Sequence, residues 1–237
     1  MENAKALLRR ARRIKQTEGP WSLLRLAAAY LLSHLFYYQT YYLSVARTDD
    51  PAEQNEADFM PRVDDFTVRI VSTNEQADEL EAQGFEFRSC ALNSRERLSK
   101  GAIASCVFVG RELGHVGWAA VTQEAMSTLH ELPIRIDFSK NEGYRGATWT
   151  DPRYRRMRLG LHGMLVGRRL LRERGVEVVR TAMTKKNAAT QSMMVKFKQT
   201  FYAEGRYVRL LWWESWKEKP LNLQGQEAVR QSNEPNG

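Results

Sequence analysis

Apolar and polar positions in the middle of the chain follow two periods that alternate along the sequence. Residues 66–72 alternate apolar and polar side chains, as a half-buried strand does. Apolar residues then recur at helical spacing over about residues 159–174, and residues 176–183 return to a β-branched strand pattern. The predicted order is β-hairpin, strand, helix, strand, helix, strand. This order predicts a mixed α/β layer fold.

The first 46 residues have a different pattern. Residues 1–15 set apolar positions at helical spacing against lysines and arginines, which predicts a basic amphipathic helix. Residues 21–46 form an aromatic, apolar run that Arg25, His34 and Gln39 break before a membrane-spanning length accumulates. We therefore predict two N-terminal helices and neither a signal peptide nor a membrane span. Three surroundings fit such helices: a neighbouring domain, a second subunit of a homo-oligomer, or the surface of an anionic membrane.

Two polar segments flank the α/β region. Residues 47–61 are acidic, contain two prolines and lack an apolar period, which predicts a linker. Residues 217–237 carry few large apolar side chains and two prolines, which predicts a flexible tail. We expect four segments: N-terminal helices (1–46), an acidic linker (47–61), an α/β domain (62–216) and a tail (217–237).

Composition and charge narrow the class of protein. The 237 residues are 43% hydrophobic and 27% charged, as in ordinary globular proteins. The formal net charge of +8 points to an anionic partner, such as nucleic acid, lipid or a phosphorylated cofactor. Cys90 and Cys106 have no CxxC spacing and no nearby histidine pair. We therefore expect no metal site, no disulfide framework and a cytoplasmic location, with any membrane contact peripheral.

One strand-to-helix turn concentrates positive charge. Residues 151–160 read Asp-Pro-Arg-Tyr-Arg-Arg-Met-Arg-Leu-Gly and lead into the long helix. The unpaired amides and the positive dipole end of a helix N-terminus favour an anion such as a pyrophosphate. The alternative is a solvated arginine surface. Gly160, Gly163 and Gly167 leave one face of this helix nearly bare, which predicts a close approach by the sheet or by a ligand.

Residues 150–160 resemble the acyl-CoA pyrophosphate loop of the GNAT (GCN5-related) N-acetyltransferase superfamily. The family loop runs roughly V-x-P-x-Y-R-G-x-G-x-G/A. Arg156 and Arg158 replace two of its glycines, and residues 187–196 are similar to a later family helix. The resemblance covers roughly residues 66–216 and implies a mixed, mostly antiparallel central sheet flanked by helices. Four loop positions match the family pattern: Pro152, Tyr154, Arg155 and Gly160.

The resemblance implies acetyl-CoA as the acyl donor. In the family, the strand before the loop splays from the next strand, and the pantetheine lies in the gap. The backbone N–H of Thr150, or of its neighbour Trp149, would hold the acyl carbonyl, and Asn187 would open a second cofactor-binding helix. The pyrophosphate would bind amides of the loop: Arg155, Arg156, Met157, Arg158, Leu159 and Gly160.

The implied reaction is direct attack of an amine on a thioester, which needs a general base. Glu142 is the first choice, because it enters the strand that leads to Thr150. Asp137 and His115 are the reserve choices for this role.

Proton donation to the departing thiolate needs an acid. The position at which the family often has a tyrosine falls near Met194, which cannot donate a proton. Tyr202, Tyr207 or water is left for this role.

The expected partners are acyl-CoA and an amine acceptor. Nucleic acid is not expected, because its recognition favours a recognition helix or aromatic residues interleaved with lysine, whereas the basic residues here are arginines at a helix start. The alternative function is a noncatalytic membrane-surface or ligand-sensing module on the same fold.

Overall fold

The computed structural model describes residues 2–49, 56–130 and 132–231. Its strands are β1 Phe36–Arg47, β2 Phe66–Val71, β3 Ile103–Val109, β4 Glu112–Ala120, β5 Glu142–Thr150, β6 Val178–Thr184, β7 Thr200–Leu210 and β8 Trp213–Pro220. Its α-helices are α1 Glu2–Glu18, α2 Pro20–Leu35, α3 Asn74–Ala82, α4 Ser94–Ser99, α5 Gln123–Ser127, α6 Leu159–Glu173, α7 Ala188–Lys196 and α8 Leu223–Gln231. Short 3-10 helices cover Glu56–Phe59, Phe138–Lys140 and Pro152–Tyr154.

The strands form one sheet in the order β2-β3-β4-β5-β6-β1-β7-β8. Strands β5 and β6 run parallel, and the other neighbouring pairs run antiparallel. Helix α6 connects the parallel pair and packs on β3, β4 and β5, as a crossover helix does. The predicted mixed α/β fold, with a mostly antiparallel sheet flanked by helices, is confirmed.

Strand β1 lies in the middle of the sheet although it precedes the other strands in the chain. It pairs with β6 along one edge and with β7 along the other. The predicted helix over residues 21–46 is therefore wrong from Phe36 onward. Aromatic and β-branched residues dominate β1, and such side chains fit a pleated, half-buried surface. The predicted boundary at residue 46 cuts through a central strand, so residues 1–46 are not a separate helical unit.

The predicted linker and tail are partly structured. Residues 50–55 of the linker lie outside the described residues, but Phe59 is buried, with its ring centroid 4.8 Å from that of Phe197. Residues 217–220 complete β8, and α8 follows, so the prediction of a flexible tail is wrong as far as Gln231. Residues 232–237 lie outside the described residues. Antiparallel pairing with β7 provides the backbone hydrogen bonds of β8, which polar composition does not reveal.

Helix α1 docks through basic side chains as well as through small apolar ones such as Ala6, which is buried. Its Arg13 is buried, whereas Leu7 and Leu8 are exposed. Helix α1 contacts α2 and the 3-10 helix Pro152–Tyr154. Among the described residues, no helix combines the length and apolarity that crossing a membrane requires.

The central position of β1 predicts a large effect of shortening Leu43, which is 1% exposed in the main core cluster. We expect Leu43→Ala to lower the free energy of unfolding by about 2–5 kcal/mol. The matched control is Leu26→Ala on α2, where the side chain is 50% exposed and the expected change stays within about 0.5 kcal/mol. Urea unfolding measures both values. If Leu43→Ala left the free energy of unfolding unchanged, residues 1–46 would again be a candidate for a separate segment that the fold does not need.

Candidate functional site

Strands β5 and β6 separate partway along their length. Their parallel pairs run from Glu142↔Val178 to Arg145↔Thr181. Beyond that point β5 remains paired with β4, and β6 remains paired with β1. The two strands therefore diverge and leave a gap between them.

Strand β5 carries a bulge where this gap begins. The pairs Gly146↔Trp118 and Trp149↔Val116 leave two residues of β5 opposite one residue of β4. One of the two, Ala147, has φ +49, a left-handed conformation that residues other than glycine seldom adopt. Bulges of this kind redirect backbone groups next to functional sites. The backbone of β5 thus leaves its ladder at the edge of the gap.

A cavity of about 400 Å³ opens at the gap. Ala147 of β5 and Ala182 of β6 contribute to its wall from the two sides. None of the described lining residues is a carboxylate. The other lining residues are mostly aromatic: Tyr37, Tyr41, Leu129, His130, Leu132, Tyr144, Tyr207 and Arg209.

His130 adds a polar group to the wall of this cavity, and the sequence analysis missed it. Its Nδ1 accepts a hydrogen bond of 2.9 Å from the Leu132 N–H, and its ring packs edge-on against Tyr144. Burial lowers the pKa of His130 to about 4, so the ring is neutral at pH 7. Because Nδ1 accepts, the proton lies on Nε2. That atom is buried and has no hydrogen-bond partner among the described residues.

The arginine-rich turn follows β5 and precedes α6. Arg156 has φ +65 and Arg158 has φ +61, both in the region that glycine adopts without steric cost. These are the two positions at which the GNAT loop pattern has glycine. Helix α6 then begins at Leu159 with no side-chain cap. The turn therefore has the backbone course of a glycine-rich loop, with two arginines in place of glycines.

The bare face of α6 packs on the sheet. A Cβ on Gly163 would lie 2.5 Å from Cδ2 of His115, and one on Gly167 would lie 3.0 Å from the Arg145 guanidinium. Arg145 donates hydrogen bonds to the carbonyl oxygens of Gly163, at 3.2 Å, and of Met164, at 3.0 Å. The sequence predicts that either the sheet or a ligand approaches this helix face closely. At Gly163 and Gly167 it is the sheet.

His115, a reserve choice for the base, lies under α6 and is not among the residues that line the cavity. Its Nδ1 lies 2.8 Å from the Thr150 hydroxyl oxygen. Burial, and to a lesser extent the nearby Arg145, lowers the pKa of His115 to about 3. Thr150, a predicted cofactor residue, therefore uses its side chain inside the fold.

The predicted catalytic residues fall into two places. Tyr207 lines the cavity at the gap. Glu142 and Tyr202 instead meet at Arg180, which bonds both Glu142 oxygens at 2.6 and 2.7 Å and lies 5.4 Å from the Tyr202 ring centroid. The hydrogen bonds from Arg180 lower the pKa of Glu142, which weakens that carboxylate as a base.

Glu142 also lies far from the gap along its strand. It is five residues before Ala147, about 16 Å at the usual rise of a strand. With Asp137 and Arg180 it lines a second cavity, of about 720 Å³. Asp137, the other reserve choice, pairs with Lys140 at 3.2 Å. The role of Glu142 as base stays a prediction.

Helix α1 is tied to the arginine-rich turn by a buried carboxylate. Asp151 is completely buried and lies 2.5 Å from Arg13 and 2.9 Å from Arg153. Arg13 also pairs with Glu86 at 2.7 Å. A buried carboxylate needs such partners, since removing one partner of a buried ion pair costs about 3–5 kcal/mol.

Two further contacts with α1 involve predicted cofactor residues. Arg155 forms an ion pair with Glu18 at the end of α1. The guanidinium of Arg10 lies 4.4 Å from the ring centroid of Trp149. Part of the basic face of α1 therefore contacts the protein itself.

Three further predicted cofactor residues, Met157, Leu159 and Asn187, also have roles inside the fold. Asn187 caps α7, since its side-chain oxygen accepts a hydrogen bond from the Thr190 N–H at 3.1 Å. The Met157 carbonyl accepts one from the Arg62 N–H at 2.9 Å, and Leu159 is buried. These contacts hold the turn and the start of α7 in place.

No protein-family model and no curated protein matches the chain. Solved structures that are similar to it include a functionally unknown conserved protein from Staphylococcus epidermidis, at 12% identity and a TM-score of 0.45, covering 79% of this chain and 66% of that one. The C-terminal domain (DUF2156) of a putative lysylphosphatidylglycerol synthetase from Agrobacterium fabrum has 13% identity and a TM-score of 0.39, covering 65% and 51%. A GCN5-related N-acetyltransferase from Sphaerobacter thermophilus has 11% identity and a TM-score of 0.38, covering 82% and 56%.

The chain spans between 51% and 66% of the length of these three structures. At such identities and TM-scores the likeness assigns neither a family nor an activity. The function proposed below is therefore argued from the residues of this chain.

The left-handed turn predicts an unusual response to glycine. Arg156 is exposed, so Arg156→Gly should relieve the conformational cost and raise the free energy of unfolding by about 1 kcal/mol. The matched control is Arg156→Ala, which removes the same side chain but keeps the Cβ, and should bring no such gain. Urea unfolding compares the two variants. Equal stability of both would argue against a left-handed residue 156.

Proposed function

We propose that this chain is an acyl-CoA-dependent N-acyltransferase that moves an acetyl group from acetyl-CoA to an amine. The observation that supports this most is that one strand, β5, joins a gap in the sheet to a left-handed turn at an uncapped helix start. Both features belong to the geometry that the GNAT resemblance implies. A gap between strands suits a narrow pantetheine arm, and an uncapped helix start suits a pyrophosphate.

Particular residues fit such a ligand. Ala147 and Ala182 leave room between the strands because their side chains are small. The bulge at Ala147 frees backbone amides to hold the acyl carbonyl, where negative charge develops during acyl transfer. The amides of Arg155 and Met157 donate to carbonyls inside the turn. The amides from Arg158 onward, at the start of α6, hold the pyrophosphate together with the Arg156 side chain. Acetyl-CoA, when bound, supplies the activated acyl group.

The cavity side chains then act on the acceptor and on the departing sulfur. The amine nitrogen forms a bond to the carbonyl carbon, and the carbon–sulfur bond breaks. Tyr207 donates its phenolic proton to the sulfur, and the neutral His130 donates a hydrogen bond from Nε2. The proton of the amine leaves to water, because none of the described lining residues is a carboxylate and Arg180 holds Glu142.

A noncatalytic ligand-sensing module is the second candidate, and one observation favours it. A cavity whose described lining residues include no carboxylate suits a site that binds acetyl-CoA without turnover. The two candidates agree on ligand binding and differ only in thiol release.

Filling the gap tests the cofactor site. We expect wild-type protein to bind acetyl-CoA in isothermal titration, and Ala182→Phe to weaken binding at least about tenfold, because the ring occupies the space of the pantetheine arm. The matched control is Ala27→Phe on the exposed part of α2, which should bind like wild type. Circular dichroism checks that each variant folds. Absence of wild-type binding, or equal binding by folded Ala182→Phe, would exclude the gap as the cofactor site.

Removing one hydroxyl tests the acid. Tyr207→Phe should lower kcat/KM for thiol release about 10²- to 10⁴-fold with acetyl-CoA affinity unchanged, because the proton donor is lost while the ring remains. The matched control is Tyr202→Phe, outside the cavity, which should retain the wild-type rate.

Thiol release is followed with a panel of amines and amino sugars. If Tyr202→Phe and Glu142→Gln abolish turnover while Tyr207→Phe does not, the chemistry belongs to the second cavity. If acetyl-CoA binds and no acceptor releases thiol, the sensing module is the better account.

A further inference from the structure

One end of the sheet exposes a cluster of large apolar side chains. There β7 turns into β8, and α2 meets β1. The most exposed of them, Trp212, is 89% exposed. A backbone hydrogen bond connects the turn to the end of α2, since the Leu211 N–H donates to the Leu35 carbonyl oxygen at 2.9 Å. We name this surface the hairpin tip; it consists of Leu35, Phe36, Leu210, Leu211, Trp212 and Trp213.

The turn at the hairpin tip has a sequence that its backbone does not favour. Leu210 pairs with Trp213, so the loop contains two residues, Leu211 and Trp212. Leu211 has φ +54, and hairpin loops of this length favour glycine, asparagine or aspartate at such positions. A left-handed conformation of leucine costs about 1–2 kcal/mol of conformational free energy. The side chains of Leu211 and Trp212 are exposed, so burial in the core does not offset this cost. Folding alone therefore does not account for Leu-Trp at this turn.

Basic residues lie behind the hairpin tip on the same face of the sheet. Cross-strand pairing aligns Phe36, Leu210 and Trp213 in one row. Four residues further along each strand, and hence on the same face, the row contains Arg206 and Lys217. Both side chains are exposed. The basic row lies about 13 Å from the apolar row at the usual rise of a strand.

We propose that the hairpin tip docks on an anionic lipid surface. Tryptophan and other aromatic side chains prefer the interfacial zone of a bilayer, and surface-bound apolar groups enter it by about 5–10 Å. With the apolar row at that depth, Arg206 and Lys217 meet the headgroup layer, where each basic residue adds about 1 kcal/mol of attraction. A protruding turn also suits a bilayer, which needs no complementary pocket. This proposal goes beyond the proposed function and does not depend on it.

The site differs from the membrane contact that the sequence suggests for residues 1–46. Arg10 and Arg13 of α1 contact Trp149 and Asp151 inside the protein. Only the junction of α2 and β1 from that segment belongs to the hairpin tip.

A turn variant tests the apolar part. Leu211→Gly combined with Trp212→Ser installs the Gly-X sequence that suits a two-residue loop with positive φ at its first residue. The variant should therefore fold at least as well as wild type. Co-sedimentation with phosphatidylcholine vesicles containing phosphatidylglycerol should show affinity lowered at least about tenfold, since each large apolar side chain contributes about that much. The matched control is Trp21→Ala, which removes a tryptophan that is 81% exposed on α2 and should bind like wild type.

A charge variant tests the basic row. Arg206→Glu combined with Lys217→Glu should remove the preference for vesicles with phosphatidylglycerol over phosphatidylcholine alone. The matched control reverses two exposed charges of α1, Arg12→Glu with Lys15→Glu, and should keep that preference.

Three results would overturn the proposal. Wild-type and turn variant could bind vesicles equally, or not at all. The α1 control could lose binding while the Arg206 and Lys217 variant keeps it. Sedimentation equilibrium could show a wild-type dimer that the turn variant lacks, without vesicle binding, in which case a second copy covers the hairpin tip.

Discussion

The pairing of β1 along both of its edges holds the sheet together and makes the gap available. Backbone groups inside a protein need hydrogen-bond partners, so β6 can leave β5 beyond Arg145↔Thr181 only because β1 continues to pair with it. Strand β1 also contributes Tyr37 and Tyr41 to the cavity wall. The N-terminal part of the chain is therefore part of the proposed active site as well as of the core.

The positive charge of the chain is divided between internal and external uses. Arg13 compensates the buried Asp151, and Arg145 bonds helix carbonyls under α6. Burial lowers the pKa of Arg145 to about 10, a cost that its hydrogen bonds to α6 offset. Arg156 of the turn and Arg206 of the basic row remain exposed. The basic residues behind the formal charge of +8 thus lie partly inside the fold and partly on two surfaces. Only those on the surfaces can attract an anionic partner.

Local patterns predicted well wherever a segment forms its own hydrogen bonds or has a characteristic turn. Helix α6 follows from helical periodicity, and its start at Leu159 lies where the glycine-like turn ends. The left-handed conformations of Arg156 and Arg158 agree with the loop pattern despite the missing glycines. The site was less predictable. The sequence does not distinguish Tyr202 from Tyr207, since both are tyrosines on the same strand. Only the fold places Tyr207 in the cavity and Tyr202 beside Arg180.

The sequence by itself determined the mixed α/β class, the helix–turn–strand order of the middle of the chain, and the arginine-rich turn, because these depend on neighbours a few residues away. Only the tertiary structure decided that residues 36–47 form a strand, since their partners lie more than a hundred residues further along the chain. It also decided that His130 lines a cavity and that Arg180 engages Glu142. Strand pairing and burial join distant segments, and no local period along the chain encodes which segments will meet.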